Sequence, residues 1–293
     1  TYNTFIIPLL EAISPIDGRV HTHFKPTGTK VGRLSANSPN VQQVTNKERR
    51  IRKVYVVPQG SKLLVCDYSQ MHLRILAHLS KDPIMLGIFN NPKGDIHQQT
   101  ADMVGVTREE AKIVNFGIIY GFGPEALAEF LKVPSHRACE IMDNYKEMYR
   151  DVFRFKSKVL GYFKKTKEVY TVLNRKRHLE YDGSFTQGKK GYLEREAFNS
   201  VIIGTEADIM KIAMVNIYPL SKEYGFKIIN QVHDELVLEI EEAKINQEVL
   251  TKIQQGLDYK FDDILIKSEI VICDTWADKR TGEKFELDTY EGV

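Results

Sequence analysis

The sequence predicts an α+β fold, in which an antiparallel sheet carries two acidic strand ends and an all-helical lobe is inserted between its strands. Residues 62–67 form an apolar run that ends on Asp67, and residues 228–240 have the pattern of a hairpin with Asp234 at its tip. The chain between them carries helical periodicity and capping signals. If the two strands pair, Asp67 and Asp234 meet at one sheet edge, where cations or raised pKa values must relieve their repulsion.

The amino-acid composition limits the classes of protein to which the chain can belong. With 293 residues and 42% hydrophobic content, the chain can form one large or two ordinary domains. The net charge of +2 does not by itself identify a nucleic-acid binder. Three widely spaced cysteines without zinc spacing fit reduced thiols in an intracellular protein. No apolar stretch approaches the roughly 18 residues of a membrane span, and the start lacks a signal-peptide pattern.

The first part of the chain leads to Asp67. Residues 25–46 are rich in Pro, Gly, Ser and Asn and predict a long loop, a feature that is often functional inside a compact domain. The Asp67 strand follows, and then a helix from Ser69 to Leu79 with Ser69 as its cap.

The middle and last parts are mainly helical. Thr107 and Glu110 form a capping-box pattern that predicts a helix to Tyr120, closed by Gly121. Further helices are predicted over residues 124–131, 135–148, 152–166, 194–218 and 243–257. A short hairpin over residues 170–181, a polar loop over 183–191 and a strand over 265–273 complete the prediction.

One face of the capped helix carries a distinctive stripe. Arg108, Lys112, Phe116 and Tyr120 recur every four residues, so they share a face. In an isolated helix we would expect solvent-facing cations and core aromatics. Here the opposite face already supplies apolar residues for burial: Ile113, Val114, Gly117 and Ile118. The stripe is therefore free to meet a ligand with phosphates at one end and a flat base at the other, such as a nucleoside triphosphate.

These motifs resemble those of the family A (DNA polymerase I type) polymerases. Asp67-Tyr-Ser-Gln-Met-His-Leu-Arg74 is similar to the first acidic motif, DYSQIELR. Residues 108–121 resemble the nucleotide-binding helix of the fingers, and residues 231–236 resemble the second acidic motif. Three further segments match in family order: residues 32–42, 94–97 and 194–208. Chance does not explain six motif matches that occur in the same order as in the family.

The resemblance implies a two-metal site. Asp67 and Asp234 would hold two Mg²⁺ ions, with Mn²⁺ as the alternative metal and the Tyr68 carbonyl as a further ligand. Glu235 is included among the catalytic residues but ranks below the aspartates, because its side chain points away from that of Asp234 in an extended tip. Lys112 is the candidate acid that protonates pyrophosphate.

The resemblance also implies binding residues. The nucleotide would be held by Arg108, Lys112, His97, Phe116, Tyr120, Gln70 and His72. Primer, template or the new base pair would contact Arg33, Asn40, Gln42, Gly121, Arg195, Asn199 and His233.

Three positions depart from the family pattern. His72 stands where the first motif normally has Glu, a residue that crowds the ribose 2′ carbon and hydrogen-bonds the fingers tyrosine. We therefore hypothesise that sugar discrimination is altered. Ile203 replaces a Gln expected near the template strand, and Glu109 replaces a common second arginine.

The resemblance divides the chain into palm and fingers. Residues 1–81, with the contacting loop 25–46, form the first part of the palm; residues 82–185 form the fingers; residues 186–293, with the catalytic hairpin 228–240, complete the palm. Because the family's thumb and exonuclease-type domains precede the Arg33 segment, we expect a truncated or split enzyme, with these parts upstream of Thr1 or on a separate chain.

The expected function is template-directed DNA synthesis, with primer-template DNA and dNTP as partners and no membrane. The expected location is the cytoplasm of a bacterial or phage-infected cell, with an organelle as the alternative. There are two alternative functions. A single-subunit RNA polymerase relative is disfavoured by Phe116, because an aromatic residue there blocks the ribose 2′-hydroxyl. A non-catalytic nucleic-acid-binding remnant is disfavoured because it has no chemical need for four residues together: Asp67, Asp234, Lys112 and Arg108.

Overall fold

The computed structural model describes residues 3, 6–44 and 49–285. The helices are α1 (Ile7–Glu11), α2 (Arg49–Arg52), α3 (Met71–Ser80), α4 (Pro83–Asn90), α5 (Ile96–Val104), α6 (Arg108–Ile119), α7 (Pro124–Leu131), α8 (Ser135–Met148), α9 (Arg150–Thr166), α10 (Gln187–Tyr224) and α11 (Gln247–Leu257). The strands are β1 (His23–Lys25), β2 (Ser35–Asn37), β3 (Ser61–Tyr68), β4 (Glu168–Tyr170), β5 (Lys176–His178), β6 (Lys227–Val232), β7 (Glu235–Glu241), β8 (Tyr259–Lys260), β9 (Leu265–Ile266), β10 (Ser268–Cys273) and β11 (Glu283–Phe285).

The chain forms two compact units. The sheet unit comprises the described residues within 1–71, 206–259 and 266–293, and the helical unit comprises residues 72–205 and 260–265. Helix α10 contributes its first part to the helical unit and the remainder to the sheet unit. No described helix has the length and apolar character needed to cross a membrane.

The sheet unit is built on five antiparallel strands in the order β11, β10, β3, β7, β6. Strand β3 lies at the centre because its apolar run, residues 63–66, is at most 1% exposed and so needs cover on both faces. Asp67 pairs with Glu235 across β3 and β7, and the Tyr68 amide donates to the Asp234 carbonyl at 3.2 Å. The predicted α+β class, the antiparallel sheet and the pairing of the acidic strands are confirmed.

Apolar and ionic contacts hold the sheet unit together. Its core includes Leu63, Val65, Val237, Val271 and Trp276. At the far end of the β3–β7 pair, the Glu239 carboxylate accepts hydrogen bonds from Arg19 at 2.5 Å and from Lys227 at 3.3 Å. Burial raises the pKa of Glu239, but these two cations outweigh it and the net pKa is lowered.

The helical unit follows the sequence signals closely. Thr107 and Glu110 form the predicted capping box at the start of α6, and α7 and α8 have the predicted bounds. The buried face of α6 includes Val114, Gly117 and Ile118, as its apolar stripe predicts. The insertion is not entirely helical, because it also carries the β4–β5 hairpin. A small core under this hairpin contains Phe163, Val169, Leu179, Leu193, Ala197 and Val201.

Several boundaries differ from prediction. Helix α3 begins at Met71, and the residue before it is Gln70 with φ 52°, so Ser69 is not at the capping position. The predicted polar loop over 183–191 is wrong in its second half, because α10 already begins at Gln187. Packing of Leu193 and Ala197 in the core stabilises a helix start that the local glycines disfavour. Part of the predicted loop 25–46 lies outside the described residues.

Candidate active site

The acidic edge of the sheet unit gathers three carboxyl groups. Asp67 lies near the end of β3, Asp234 lies in the turn between β6 and β7, and Glu235 starts β7 opposite Asp67. Asp234 is half-buried and Glu235 is buried. His233 precedes them, exposed and with φ 55°, a backbone conformation that histidine tolerates better than most residues.

A lysine bridges two of these carboxylates. Lys279 Nζ donates to Asp67 Oδ2 at 2.5 Å and to Glu235 Oε2 at 2.7 Å. The other Glu235 oxygen, Oε1, accepts from Trp276 Nε1 at 2.6 Å. Because directly paired residues share a face of the sheet, Glu235 projects on the side of Asp67. The predicted catalytic role of Glu235 stays untested, but both of its oxygens are already engaged.

The electrostatics of this edge favour a cation. Burial raises the pKa of Asp67 to about 6, against the opposing charge of Lys279, and the Asp234 carboxylate contributes to the rise. Burial lowers the pKa of Lys279, but the carboxylates of Glu235 and Asp67 outweigh it and the net pKa is raised. Three carboxylates at this edge face two cations, the Lys279 ammonium and the Arg52 guanidinium 3.9 Å from Glu235, so negative charge remains in excess.

The donor set fits a hard divalent cation. Carboxylate oxygens of Asp67 and Asp234 and the nearby Tyr68 carbonyl are the ligand types that such ions prefer. Among the described residues, a close group of three such side chains lies elsewhere: His78, Asp262 and Asp263 bring potential ligand atoms within 4.8 Å of one another, which the three acids of the sheet edge do not. Lys81 Nζ lies 2.7 Å from Asp263, so a resident ammonium already balances charge in that second group.

Gln42 connects the predicted contacting loop to the hairpin. Its Nε2 donates to the Gln231 backbone carbonyl at 3.0 Å and to Gln231 Oε1 at 3.1 Å. Gln231 Nε2 in turn donates to the His233 carbonyl at 2.5 Å. The Asn40 side-chain oxygen, Oδ1, accepts a hydrogen bond from the backbone amide of Gln42 at 3.1 Å. These bonds restrain the turn that carries Asp234.

Arg33 has a partner inside the sheet unit. Its Nε donates to Glu206 Oε1 at 3.0 Å and an NH2 group donates to Oε2 at 2.5 Å. The Glu206 side chain is fully buried, whereas that of Arg33 is 24% exposed. Arg33 was predicted to contact DNA, and the structure gives it a structural ion pair.

The cations of the predicted nucleotide stripe lie on α6 with carboxylates beside them. Arg108 Nε donates to Asp95 at 2.8 Å, and Lys112 Nζ lies 3.0 Å from both Glu109 oxygens. All four side chains are at least one third exposed, so these pairs are weak in water. An incoming phosphate can therefore exchange with them at little cost.

His97 is oriented by an amide. Asn115 Nδ2 donates to His97 Nδ1 at 3.0 Å, while Thr100 donates to Asn115 Oδ1 at 3.1 Å. Burial lowers the pKa of His97, and Arg108 and Lys112 lower it further against the Asp95 charge. The neutral ring, accepting at Nδ1, carries its proton on Nε2 and can donate from there.

The aromatic residues of the stripe form one surface with His72. Phe116 and Tyr120 are nearly parallel with ring centroids 6.4 Å apart, and His97 lies 6.0 Å from Phe116. The Tyr120 hydroxyl and His72 Nδ1 are hydrogen-bonded. His72 thus reaches Tyr120, as the sequence hypothesis requires, although its effect on sugar choice is untested.

Gly121 and the start of α10 meet in the helical unit. Gly121 has φ 95°, and a Cβ there would lie 2.4 Å from Arg195 Cδ, so the arginine stem passes directly over the glycine. One turn after Arg195, the Asn199 Oδ1 atom is buried without a hydrogen-bond partner among the described residues. An unpaired buried amide oxygen is costly unless a ligand or water satisfies it.

The family model for DNA polymerase family A matches residues 1–278. The chain belongs to DNA polymerase family A. DNA polymerase I of Caldicellulosiruptor bescii is 42% identical over 265 residues, which cover 85% of this chain and 31% of that protein. The thermostable DNA polymerase I of Thermus thermophilus is 35% identical over 287 residues, covering 94% of this chain and 34% of the relative. This family A chain therefore spans about a third of the length of these relatives.

Among solved structures, the fold resembles the POL domain of Pol1 from M. smegmatis, in complex with DNA primer-template and dNTP. The TM-score is 0.85 at 32% sequence identity, and the match covers 93% of this chain and 50% of the other. The family predicted from the sequence motifs is thus confirmed, and family A polymerases use divalent metals.

The structure adds residues that the sequence did not indicate. Lys279 and Trp276 follow β10, more than 40 positions after Glu235, in a segment with no recognisable motif. Arg52 lies with its guanidinium 3.9 Å above the Trp276 ring and 3.9 Å from Glu235. A single tryptophan in a polar stretch was the one available signal, and it does not indicate a site by itself.

Proposed function

We propose that this chain is the palm and fingers portion of a template-directed DNA polymerase, which adds dNTP to a primer 3′-hydroxyl by a two-metal mechanism. In this proposal the sheet unit is the palm and the helical unit is the fingers. The observation that carries it is the backbone link that brings Asp67 and Asp234 to one sheet edge in a chain of this family.

Asp67 and Asp234, with the Tyr68 carbonyl, would hold two Mg²⁺ ions. When bound, such ions lower the pKa of a coordinated hydroxyl and stabilise the charge that develops on transferred phosphate. The carboxylates contribute fixed negative charge on a rigid strand end and a tight turn, which is suited to orienting ligands without reorganisation.

Side chains of the helical unit would bind the dNTP. Arg108 and Lys112 would release Asp95 and Glu109 to bind phosphate oxygens, and His97 would donate from Nε2. Lys112 would protonate the leaving pyrophosphate.

The aromatic pair would contact the sugar and base. Phe116 and Tyr120 supply a flat half-exposed surface, and His72 and Gln70 would also contact the nucleotide. Primer and template would contact Arg195, Asn199, Gly121 and His233, and the unpaired Asn199 Oδ1 supports a polar ligand there. The effect on DNA binding would be indirect for Arg33, Asn40 and Gln42, because their hydrogen bonds hold neighbouring elements in place.

Primer extension with Mg²⁺ tests the proposal. Asp67→Asn and Asp234→Asn should each lower the rate by at least about a hundredfold, the usual scale for losing one strong electrostatic group at a reacting centre. Asp262→Asn is the matched control, because Asp262 is an exposed acid outside the proposed site and its side chain is 80% exposed. Extension that survives both site variants would show that these acids are misassigned.

The assay needs two further arms. Because the relatives are longer than this chain, extension is measured with and without a polypeptide that carries a thumb and exonuclease domain. Parallel reactions with dNTP and rNTP separate DNA synthesis from RNA synthesis. DNA binding without extension in any arm would favour the non-catalytic alternative. A cytoplasmic location belongs to the same proposal, since bacterial template DNA is found there.

A further inference from the structure

Four side chains form a continuous hydrogen-bonded chain at the acidic edge. Asp67 accepts from Lys279, Lys279 also donates to Glu235, and Glu235 accepts from the Trp276 indole. Both Glu235 oxygens are used, and its side chain is 7% exposed. Glu235 is therefore well placed to anchor the ammonium and poorly placed to ligate a metal.

The anchor itself is rigid. Trp276 is fully buried, with Arg52 stacked 3.9 Å from its ring and Tyr55 packed edge-on at 5.2 Å between centroids. Lys279 differs, because its side chain is 26% exposed and has a flexible four-carbon stem. The lysine is thus the member of the chain that can move while Glu235 and Trp276 stay in place.

We propose that Lys279 is a resident cation of the acidic site, which a divalent metal ion displaces from Asp67 while Glu235 retains it nearby. This inference rests on the metal site of the proposed function. An ammonium 2.5 Å from Asp67 Oδ2 occupies the position in which that oxygen would face an ion, and two cations cannot share one oxygen without strong repulsion. Until metal binds, the Lys279 ammonium balances the charge of Asp67.

In this proposal, a metal ion that binds Asp67 Oδ2 breaks the Lys279–Asp67 bond. A hydrogen bond to a charged partner contributes enough to stability that its loss corresponds to a roughly 10- to 150-fold change in an equilibrium constant. We therefore expect Lys279→Met to bind Mg²⁺ more tightly by about this factor. A conventional supporting role predicts the opposite, because Asp67 would lose its orientation and bind metal more weakly.

Calorimetric titration with MgCl₂ alone, without DNA or dNTP, measures this effect. Lys284→Met is the matched control, since it removes the same charge from an exposed lysine on β11 that lies 3.8 Å from Glu269. The control should bind Mg²⁺ within about twofold of the wild type. Unchanged or weaker binding by Lys279→Met would overturn the proposal.

The single tryptophan gives a second readout in the unmodified protein. Release of Lys279 from Asp67 changes the charge close to Glu235 and the Trp276 indole although both side chains stay in place, so Trp276 emission should change over the Mg²⁺ range in which heat is released. An emission spectrum that stays constant through saturation contradicts displacement, even if Lys279→Met does not fold.

Two variants separate this inference from the proposed function. Asp67→Asn and Asp234→Asn should lose most Mg²⁺ binding; if they bind like the wild type, the metal site itself is wrong. If they lose Mg²⁺ binding while Lys279→Met binds Mg²⁺ no more tightly than the wild type, the metal site is supported and the displacement of Lys279 is refuted.

Discussion

The pair between Arg33 and Glu206 should make a large contribution to the stability of the sheet unit. Arg33→Met removes a two-pronged guanidinium contact, at 3.0 and 2.5 Å, from a carboxylate that is fully buried. Removing one partner of a buried pair typically costs about 3–5 kcal/mol, because the remaining charge keeps its desolvation penalty. At about 2–4 °C per kcal/mol, the melting temperature should fall by roughly 6–20 °C.

Urea unfolding followed by circular dichroism measures this loss, and a double-mutant cycle isolates its cause. Arg33→Met combined with Glu206→Leu should recover most of the stability, because replacing both partners by apolar groups removes the buried charge. Lys30→Met, an exposed cation in the same loop, should change the free energy of unfolding by less than about 0.5 kcal/mol.

A loss under about 1 kcal/mol for Arg33→Met, or a double variant as unstable as the single one, would show that the ion pair does not make this contribution. The result also affects how DNA-binding experiments are interpreted. If the pair is structural, weaker DNA binding by an Arg33 variant reflects a damaged fold and does not show a lost phosphate contact.

Three further outcomes are expected. His72→Gly should raise rNTP incorporation relative to dNTP by about tenfold or more in primer extension, because it opens the space beside Tyr120; an unchanged ratio would reject His72 as a determinant of sugar choice. Gly121→Ala should lower stability by about 1–3 kcal/mol through its left-handed backbone and the arginine stem above it, whereas Gly183→Ala, with open space at its Cβ, should be nearly neutral in the same melting assay. Glu239→Gln should destabilise the protein at pH 7. Since the folded pKa of Glu239 is lowered, its stabilisation is complete above the ordinary value of 4.5 and disappears as pH falls through the folded pKa, so wild type and variant should converge in acid.

Features with a local physical cause could be predicted from the sequence. Asp67 ends an apolar run, Asp234 lies between two apolar runs, and Thr107 with Glu110 satisfies the first turn of a helix. Each depends on residues within a few positions, so strand, turn and helix start follow directly from the pattern. The α6 stripe likewise follows from helical periodicity.

Features that depend on distant contacts could not be predicted. Glu206 lies 173 positions from Arg33, and Lys279 lies 212 positions from Asp67. Neither pair can be recognised from the spacing of residues along the sequence. Helix α10 begins earlier than its glycines suggest because apolar side chains from its first turns enter a core formed with α9 and the hairpin. Tertiary packing there overrides local propensity.

The two proposed metal-binding aspartates differ in how firmly the sheet holds them. Asp67 is on β3, which is hydrogen-bonded to a strand on each side, whereas Asp234 is in the turn that joins β7 to the edge strand β6. Amide hydrogens on β3 should therefore exchange only with opening of the whole sheet, while those of the turn exchange through smaller openings.

This asymmetry has a consequence for evolution and engineering. The separation of the two carboxylates can be adjusted by changes in the turn and in β6 without disturbing the central strand. Variants selected for a metal ion of different radius should accumulate substitutions around the turn, while β3 accepts few.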